Sequence, residues 1–190
     1  MPLIGVLALQ GDFDAHRRRL EALGAKVRLV RKPEGLDGLD GIVIPGGESS
    51  TMLKFLEHGG FFEKLRDFVR LKPAFGTCAG AILLAQDVEN PAQKSLGALD
   101  IAVRRNAYGR QLDSHISMSD KNGNGAPFEM VFIRAPKISR VGKDVQVLAK
   151  LDNDPVWVRQ GLTMAATFHP ELSADDHVHR EFLKLVTSQT

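Results

Sequence analysis

A rhythm constrains this sequence more than any other feature: short apolar runs alternate with segments of helical spacing. Ile4 to Leu9, Lys26 to Val30, Gly41 to Ile44 and Pro73 to Thr77 read as strands. Between and after them, Asp14 to Leu23, Ser49 to Glu57, Phe61 to Leu71 and Ala79 to Ala85 read as helices, with Gly24 placed to end the first. A strand that is apolar on both faces needs cover on both, and helical crossovers supply it. The pattern therefore predicts an α/β fold with a mostly parallel sheet.

The first two-thirds follows this rhythm, and the remainder of the chain changes character. Leu99 to Arg105, Glu129 to Ile133, Val145 to Leu151, Val156 to Arg159 and Thr163 to Phe168 are strand-like, with few helices between them. Antiparallel additions beside the parallel sheet are expected. Asp120 to Pro127 reads as a polar loop and His177 to Val186 as a closing amphipathic helix. No repeat or linker interrupts the pattern, so residues 1–190 are expected to form one domain.

Composition excludes several functions. Charged residues make up 25% of the 190 and the formal net charge is only +2, with no basic stripe for nucleic acid. The triplet Arg17-Arg18-Arg19 points in three directions on a helix and reads as a solvated face. No run is long enough to span a bilayer, and no basic stretch precedes the first apolar run as in a secretory signal. The single cysteine rules out an internal disulfide and a cysteine-based zinc site. A cytoplasmic protein is expected, without nucleic-acid or membrane partners.

That cysteine lies in Gly76-Thr77-Cys78-Ala79-Gly80, between a predicted strand and a predicted helix. This is the spacing of a nucleophile elbow with Cys in place of Ser. The tight turn demands small neighbours, and the helix N-terminus favours a thiolate over a thiol. Phe168-His169-Pro170-Glu171 follows the last apolar strand. In extended backbone residues two apart project to one side, so Glu171 can hold the His169 ring while its other nitrogen takes the thiol proton. Pro45-Gly46-Gly47-Glu48-Ser49-Ser50-Thr51 also sits at a strand end. Its glycines let backbone N–H groups approach a ligand, so Gly46, Gly47 and Ala79 are candidates for an oxyanion hole. Neither GK[ST] nor GxGxxG is present, which disfavours a phosphate loop. His16, His58, His115, His177 and His179 have no partners at metal-ligand spacing and read as structural or surface residues; no metal site is expected.

GTCAG, PGGES and FHPE, in this order, resemble the motifs of class I, triad-type glutamine amidotransferases. Ile4-Gly5-Val6-Leu7-Ala8-Leu9-Gln10-Gly11, the stretch from Arg105 to Ser114 (RNAYGRQLDS) and Val131-Phe132-Ile133-Arg134-Ala135-Pro136 are similar to the glutaminase subunits of pyridoxal 5′-phosphate synthases. The resemblance covers nearly the whole chain. It implies a flavodoxin-like three-layer α/β/α sandwich and a Cys78–His169–Glu171 triad that hydrolyses L-glutamine to glutamate and ammonia. It also implies a glutamine site lined by Gly47, Glu48, Ser49, Arg105, Ile133 and Arg134, and a separate synthase subunit that receives the ammonia. Arg105 or Arg134 suits the substrate carboxylate, and Glu48 the ammonium. No cofactor is expected, pyridoxal phosphate being the product of the complex. A glutaminase feeding another synthase, such as that for imidazole glycerol phosphate, shares the triad but not RNxYGRQxDS; an inactive scaffold does not explain an intact triad. Docking of the partner is expected around the mouth of the site, with Gln10-Gly11 and Asn106 to Arg110 as candidates, and to raise the activity of the chain.

Overall fold

In the computed structural model, residues 1–105, 114–119 and 127–189 are described. Most of the RNAYGRQLDS stretch, the docking candidates Asn106 to Arg110, and residues 120–126 of the expected polar loop lie outside the described residues.

The strands are β1 (Leu3–Leu7), β2 (Lys26–Val30), β3 (Gly41–Ile44), β4 (Ala74–Thr77), β5 (Ala85–Glu89), β6 (Leu99–Arg104), β7 (Ser114–Met118), β8 (Glu129–Ile133), β9 (Lys137–Val141), β10 (Gln146–Leu151), β11 (Asp154–Gln160) and β12 (Thr163–Ala166). The helices are α1 (Phe13–Ala22), α2 (Ser49–Leu56), α3 (Phe61–Leu71), α4 (Ala79–Leu84) and α5 (His177–Thr187). The main sheet runs β10-β11-β12-β4-β3-β1-β2. From β12 to β2 it is parallel, and β10 and β11 add to it antiparallel. The expected antiparallel addition is therefore present, at one edge.

Period-two alternation explains the layers. Val6, Val43 and Phe75 point to the face covered by α1 and α5, where they pack with Leu20, Phe182, Leu185 and Val186. Their neighbours Leu7, Ile42, Ile44 and Ala74 point to the other face, against Met52, Leu56, Phe62, Leu65 and Val69 of α2 and α3. β3, β4 and β12 are buried at every position, as strands covered on both faces must be. On α3 the buried residues are Phe61, Phe62, Leu65 and Val69, one stripe at helical spacing. Each such side chain stabilises the fold by about 1.5–3 kcal/mol of burial.

Three strands were not legible as such in the sequence. β5 starts where α4 stops, and it pairs with β6, which pairs with β9, in a small separate sheet. β7 pairs with β8 as a two-stranded ribbon. β7 is exposed along almost its whole length and β9 buries only Ile138, which leaves little hydrophobic signal.

The Arg triplet divides. Arg17 and Arg18 bind Asp14 on their own helix, a solvated arrangement. Arg19 instead donates to the carbonyls of Ser173 and Ala174, just beyond the HPE turn.

Candidate active site

Because β3, β4 and β12 are neighbours in the sheet, the loops at their carboxyl ends meet. Gly46 follows β3, Cys78 follows β4 and His169 lies three residues past β12. This is the crevice where open α/β sheets bind ligands.

Cys78 occupies a sharp turn with φ 48° and ψ −103°, an unfavourable conformation for a residue with a side chain. Such geometry costs about 1–3 kcal/mol and persists only when its surroundings impose it. Here the Cys78 N–H donates to the Ala166 carbonyl of β12 at 2.9 Å, and its own carbonyl accepts from the Ile82 N–H at 3.2 Å. The flanking glycines are a steric requirement: a Cβ on Gly76 would stand 2.5 Å from the backbone of Gly80. Ala79 is the first residue of α4, so its N–H has no acceptor within the helix.

His169 enters from the neighbouring strand, at the same end of the sheet. Its N–H donates to the Val131 carbonyl of β8 at 2.8 Å, and Pro170 to Leu172 form a 3-10 turn that returns Glu171 beneath the ring. Nδ1–H of His169 donates to Glu171 Oε1 at 2.8 Å. Since an ionised carboxylate only accepts, the other ring nitrogen is left for Cys78. Burial pulls the His169 pKa down, but hydrogen bonds to Cys78 and Glu171 and their charges outweigh it and hold it up to about 10. For Glu171, burial pushes the pKa up, while the neighbouring His16 and the hydrogen bond and charge of His169 hold it down to about 2. Cys78, His169 and Glu171 are all buried. The arrangement can ionise a thiol, retain the proton beside it and return that proton to a leaving group.

The predicted oxyanion loop packs directly on this pair. A Cβ on Gly46 would lie 2.4 Å from His169 Cε1 and 3.4 Å from Cys78 Cβ. Gly47 has φ 139°, and the next N–H, of Glu48, donates to Gln10 Oε1 at 2.8 Å. The sequence marks Gln10 only as a candidate docking residue; in the fold its side chain anchors this loop.

The expected glutamine-binding residues form two groups. Glu48 caps α2, accepting from the N–H groups of Ser50 at 3.2 Å and Thr51 at 2.7 Å and from both hydroxyls. Burial raises its pKa, but these donors win and bring it to about 2. Arg105 pairs with the same carboxylate at 3.2 Å. The Ser49 hydroxyl donates to Gln93 Oε1 at 3.0 Å, a partner with no signature in the sequence. Ile133 and Arg134 close β8, the strand that holds His169; Ile133 is 37% exposed and Arg134 has φ 45°.

Of the five remaining histidines, His58 and His115 are exposed, and His177 packs against Phe128 and Trp157. His16 and His179 are different. Both are fully buried, directly behind Glu171. Their spacing held the signal: His16 shares the inward face of α1 with Leu20, and His179 that of α5 with Phe182 and Val186.

Comparison with known proteins agrees with this geometry. Residues 6–188 match the model of the SNO glutamine amidotransferase family. A protein named pyridoxal 5′-phosphate synthase subunit PdxT from Koribacter versatilis is 66% identical over 96% of this chain and 95% of its own length. One of the same name from Deinococcus radiodurans is 53% identical, covering 96% of each chain. A solved structure described as a glutamine amidotransferase superposes with a TM-score of 0.90 at 46% identity, over 97% of this chain and 98% of that one. The glutaminase domain of CTPS from Trypanosoma brucei, 12% identical with a TM-score of 0.65 over 99% of this chain and 94% of that one, shares the fold. With a family match across almost its entire length and relatives above half identity, the chain belongs to the SNO glutamine amidotransferase family.

Proposed function

We propose that this chain is the glutaminase subunit of a pyridoxal 5′-phosphate synthase. It hydrolyses L-glutamine to glutamate and ammonia and delivers the ammonia to a synthase subunit. The observation that carries the chemistry is the 2.8 Å hydrogen bond from His169 Nδ1 to Glu171 Oε1, with the Cys78 elbow beside the same ring across Gly46. The partner is inferred from the PdxT relatives, whose name describes a synthase subunit.

The steps follow from the geometry. Cys78 thiolate attacks the side-chain amide carbon of glutamine, forming the C–S bond and placing negative charge on the oxygen. The N–H of Ala79 and one from Gly46 or Gly47 stabilise that oxyanion. His169, held by Glu171, gives its proton to the nitrogen as the C–N bond breaks, and ammonia leaves. A water then loses a proton to His169 and attacks the γ-glutamyl thioester, releasing glutamate and Cys78. These steps require no metal and no organic cofactor. Gly47, Glu48, Ser49, Arg105, Ile133 and Arg134 line the glutamine site in this reading. Since Glu48 is committed to the α2 cap and to Arg105, it acts on the substrate through that pair.

Residues 1–190 work as one glutaminase domain in this reading. No helix of the described residues is long and apolar enough to cross a membrane, and a cytoplasmic location fits a subunit that uses free glutamine. The test is steady-state glutamate release by the pure chain, with and without a synthase subunit. Release that rises on addition of the subunit is expected. No release in either condition overturns the reading.

A further inference from the structure

Glu171 has two carboxylate oxygens, and the triad uses one. Oε1 accepts from His169; Oε2 is buried and makes no well-aligned hydrogen bond. A buried carboxylate oxygen without a donor is costly, so whatever faces Oε2 governs how firmly Glu171 stays ionised and in place. Its polar neighbour is His16 Nε2, 3.3 Å away. That nitrogen is also 3.1 Å from Thr77 Oγ1, and His16 Nδ1 is 2.9 Å from His179 Nε2. His179 Nδ1 has no hydrogen-bond partner among the described residues. Glu171 thus descends into the layer between the sheet and α1 and α5, where Phe75 walls the two imidazoles edge-on.

Burial depresses both histidine pKa values, that of His179 to about 3, so each ring is neutral and carries one proton. Two proton arrangements remain. In one, Thr77 donates to His16 Nε2 and His16 Nδ1–H donates to His179. This leaves a buried N–H on His179 unpaired and the anionic Oε2 facing a lone pair. In the other, His179 Nε2–H donates to His16 Nδ1, and His16 Nε2–H lies between Thr77 Oγ1 at 3.1 Å and Oε2 at 3.3 Å. This leaves a neutral lone pair on His179 Nδ1 unsatisfied and turns the Thr77 hydroxyl proton away from His16. The second sets a donor rather than a lone pair beside the anionic Oε2, and it is therefore the stable one.

We propose that His16 is a positioning residue of the triad: its Nε2–H, fixed in that tautomer by His179, holds the second oxygen of Glu171 so that the first stays aimed at His169. The arrangement repeats one step deeper the logic by which Glu171 sets the tautomer of His169. It rests on the glutaminase reading above. The other titratable and charged groups around the network are Asp12 at the start of α1, Arg19 on α1, Asp176 before α5, and Cys78. The Asp12 carboxylate lies within 4.8 Å of His169 and Glu171 ligand atoms.

His16→Gln and His16→Asn separate positioning from packing. The Gln amide nitrogen can stand where Nε2 does; the Asn amide nitrogen reaches only the Nδ1 position. In the complex with a synthase subunit, His16→Asn is expected to lower kcat about 10- to 100-fold, as the loss of outer hydrogen-bond partners typically does, with KM for glutamine unchanged. His16→Gln is expected to remain within about threefold of wild type, the range left when a donor is kept in place. The second readout is the His169 ring titration followed by NMR in the chain without glutamine. Its midpoint is expected to fall in His16→Asn and to be restored in His16→Gln. Where His16→Asn does not fold, His16→Met, which also lacks the donor, replaces it. Wild-type kcat and titration in the donor-less variant overturn the proposal. So do equal losses in the Asn and Gln variants with an unchanged titration, which would mark packing alone. The titration needs no turnover, so it decides the role of His16 even if the wild-type complex fails to hydrolyse glutamine, a failure that would count against the glutaminase reading.

Discussion

The two edges of the His169 ring are held by different kinds of structure. Towards Cys78 the contacts come from sequence-local turns: the elbow with its strained φ, and the Gly46 backbone laid against the ring. Towards Glu171 the contacts come from across the chain: His16 is 155 residues from Glu171 in sequence, and His179 and Thr77 complete the network from α5 and β4. The first region is where bonds are made, so it is built of small residues that leave room. The second is sealed, so charge placed there is governed by a few hydrogen bonds in a medium of low dielectric. One side supplies the reacting atoms and the other sets their electrostatics.

Substitutions can test that division, beginning with the largest effect. Cys78→Ala removes the nucleophile and little volume. Glutamine hydrolysis is expected to fall by at least about 10⁴-fold with the fold retained, by analogy with nucleophile removal in hydrolases. Activity near wild type would remove Cys78 from the reacting side. Glu171→Gln keeps a hydrogen-bonding group but can select the wrong His169 tautomer and cannot stabilise imidazolium. In serine proteases the analogous change costs ~10⁴ in turnover, and a thiolate nucleophile softens the loss, so a fall of ~10²–10⁴ is expected in kcat. Unchanged kcat would mean that the sealed side does not set the electrostatics.

Gly46→Ala pushes a methyl to 2.4 Å from His169 Cε1. The loop or the ring must shift, and a fall in kcat of about 10²–10³ is expected, the range for loss of one oxyanion donor. A variant with wild-type kinetics would show that the loop is not part of the site.

The sealed side also predicts acid sensitivity. The folded-state pKa of Glu171 is depressed from 4.5 to about 2, so its ionised form stabilises the fold above pH 4.5, and that contribution is lost as pH falls through about 2. The difference corresponds to on the order of 3 kcal/mol, shared with His169 as one coupled pair. Urea unfolding at pH 6, 4 and 3 should show wild type losing more stability than Glu171→Gln across this window. Parallel losses would sever Glu171 from the acid response.

The smallest effect concerns the open side. Arg105 is 15% exposed and pairs with the half-exposed Glu48. Arg105→Ala is expected to raise KM for glutamine about tenfold with kcat little changed, as loss of one charged substrate contact does. An unchanged KM would reduce the Arg105–Glu48 pair to a surface ion pair of little energetic weight.

Much of the reacting side was legible in the sequence because its determinants are local. An elbow needs small residues two positions either side of the nucleophile, a buried parallel strand is apolar throughout, and a glycine pair marks a close approach; all three leave contiguous traces. The lengths of β2, β3, β8 and α3 read from spacing match the structure to the residue, since apolar periodicity was strong there. β5, β7 and β9 left no such trace, being short and half polar. His16 and His179 read as bland for a related reason: one histidine on an apolar helix face is a core residue in most proteins, and nothing in either helix specifies the other.

By itself, then, the sequence determined the layered α/β architecture, the elbow, the HPE turn and the glycine loop, because each depends on residues within a few positions of one another. The tertiary structure decided which strand ends meet, that Gln10 anchors the Gly47–Glu48 loop, that Arg105 spends its charge on Glu48, and that two distant histidines stand behind Glu171. Those are long-range pairings. Chain topology sets them by placing β3, β4 and β12 side by side and α1 against α5, and only then does a buried carboxylate acquire the neighbours that keep it charged.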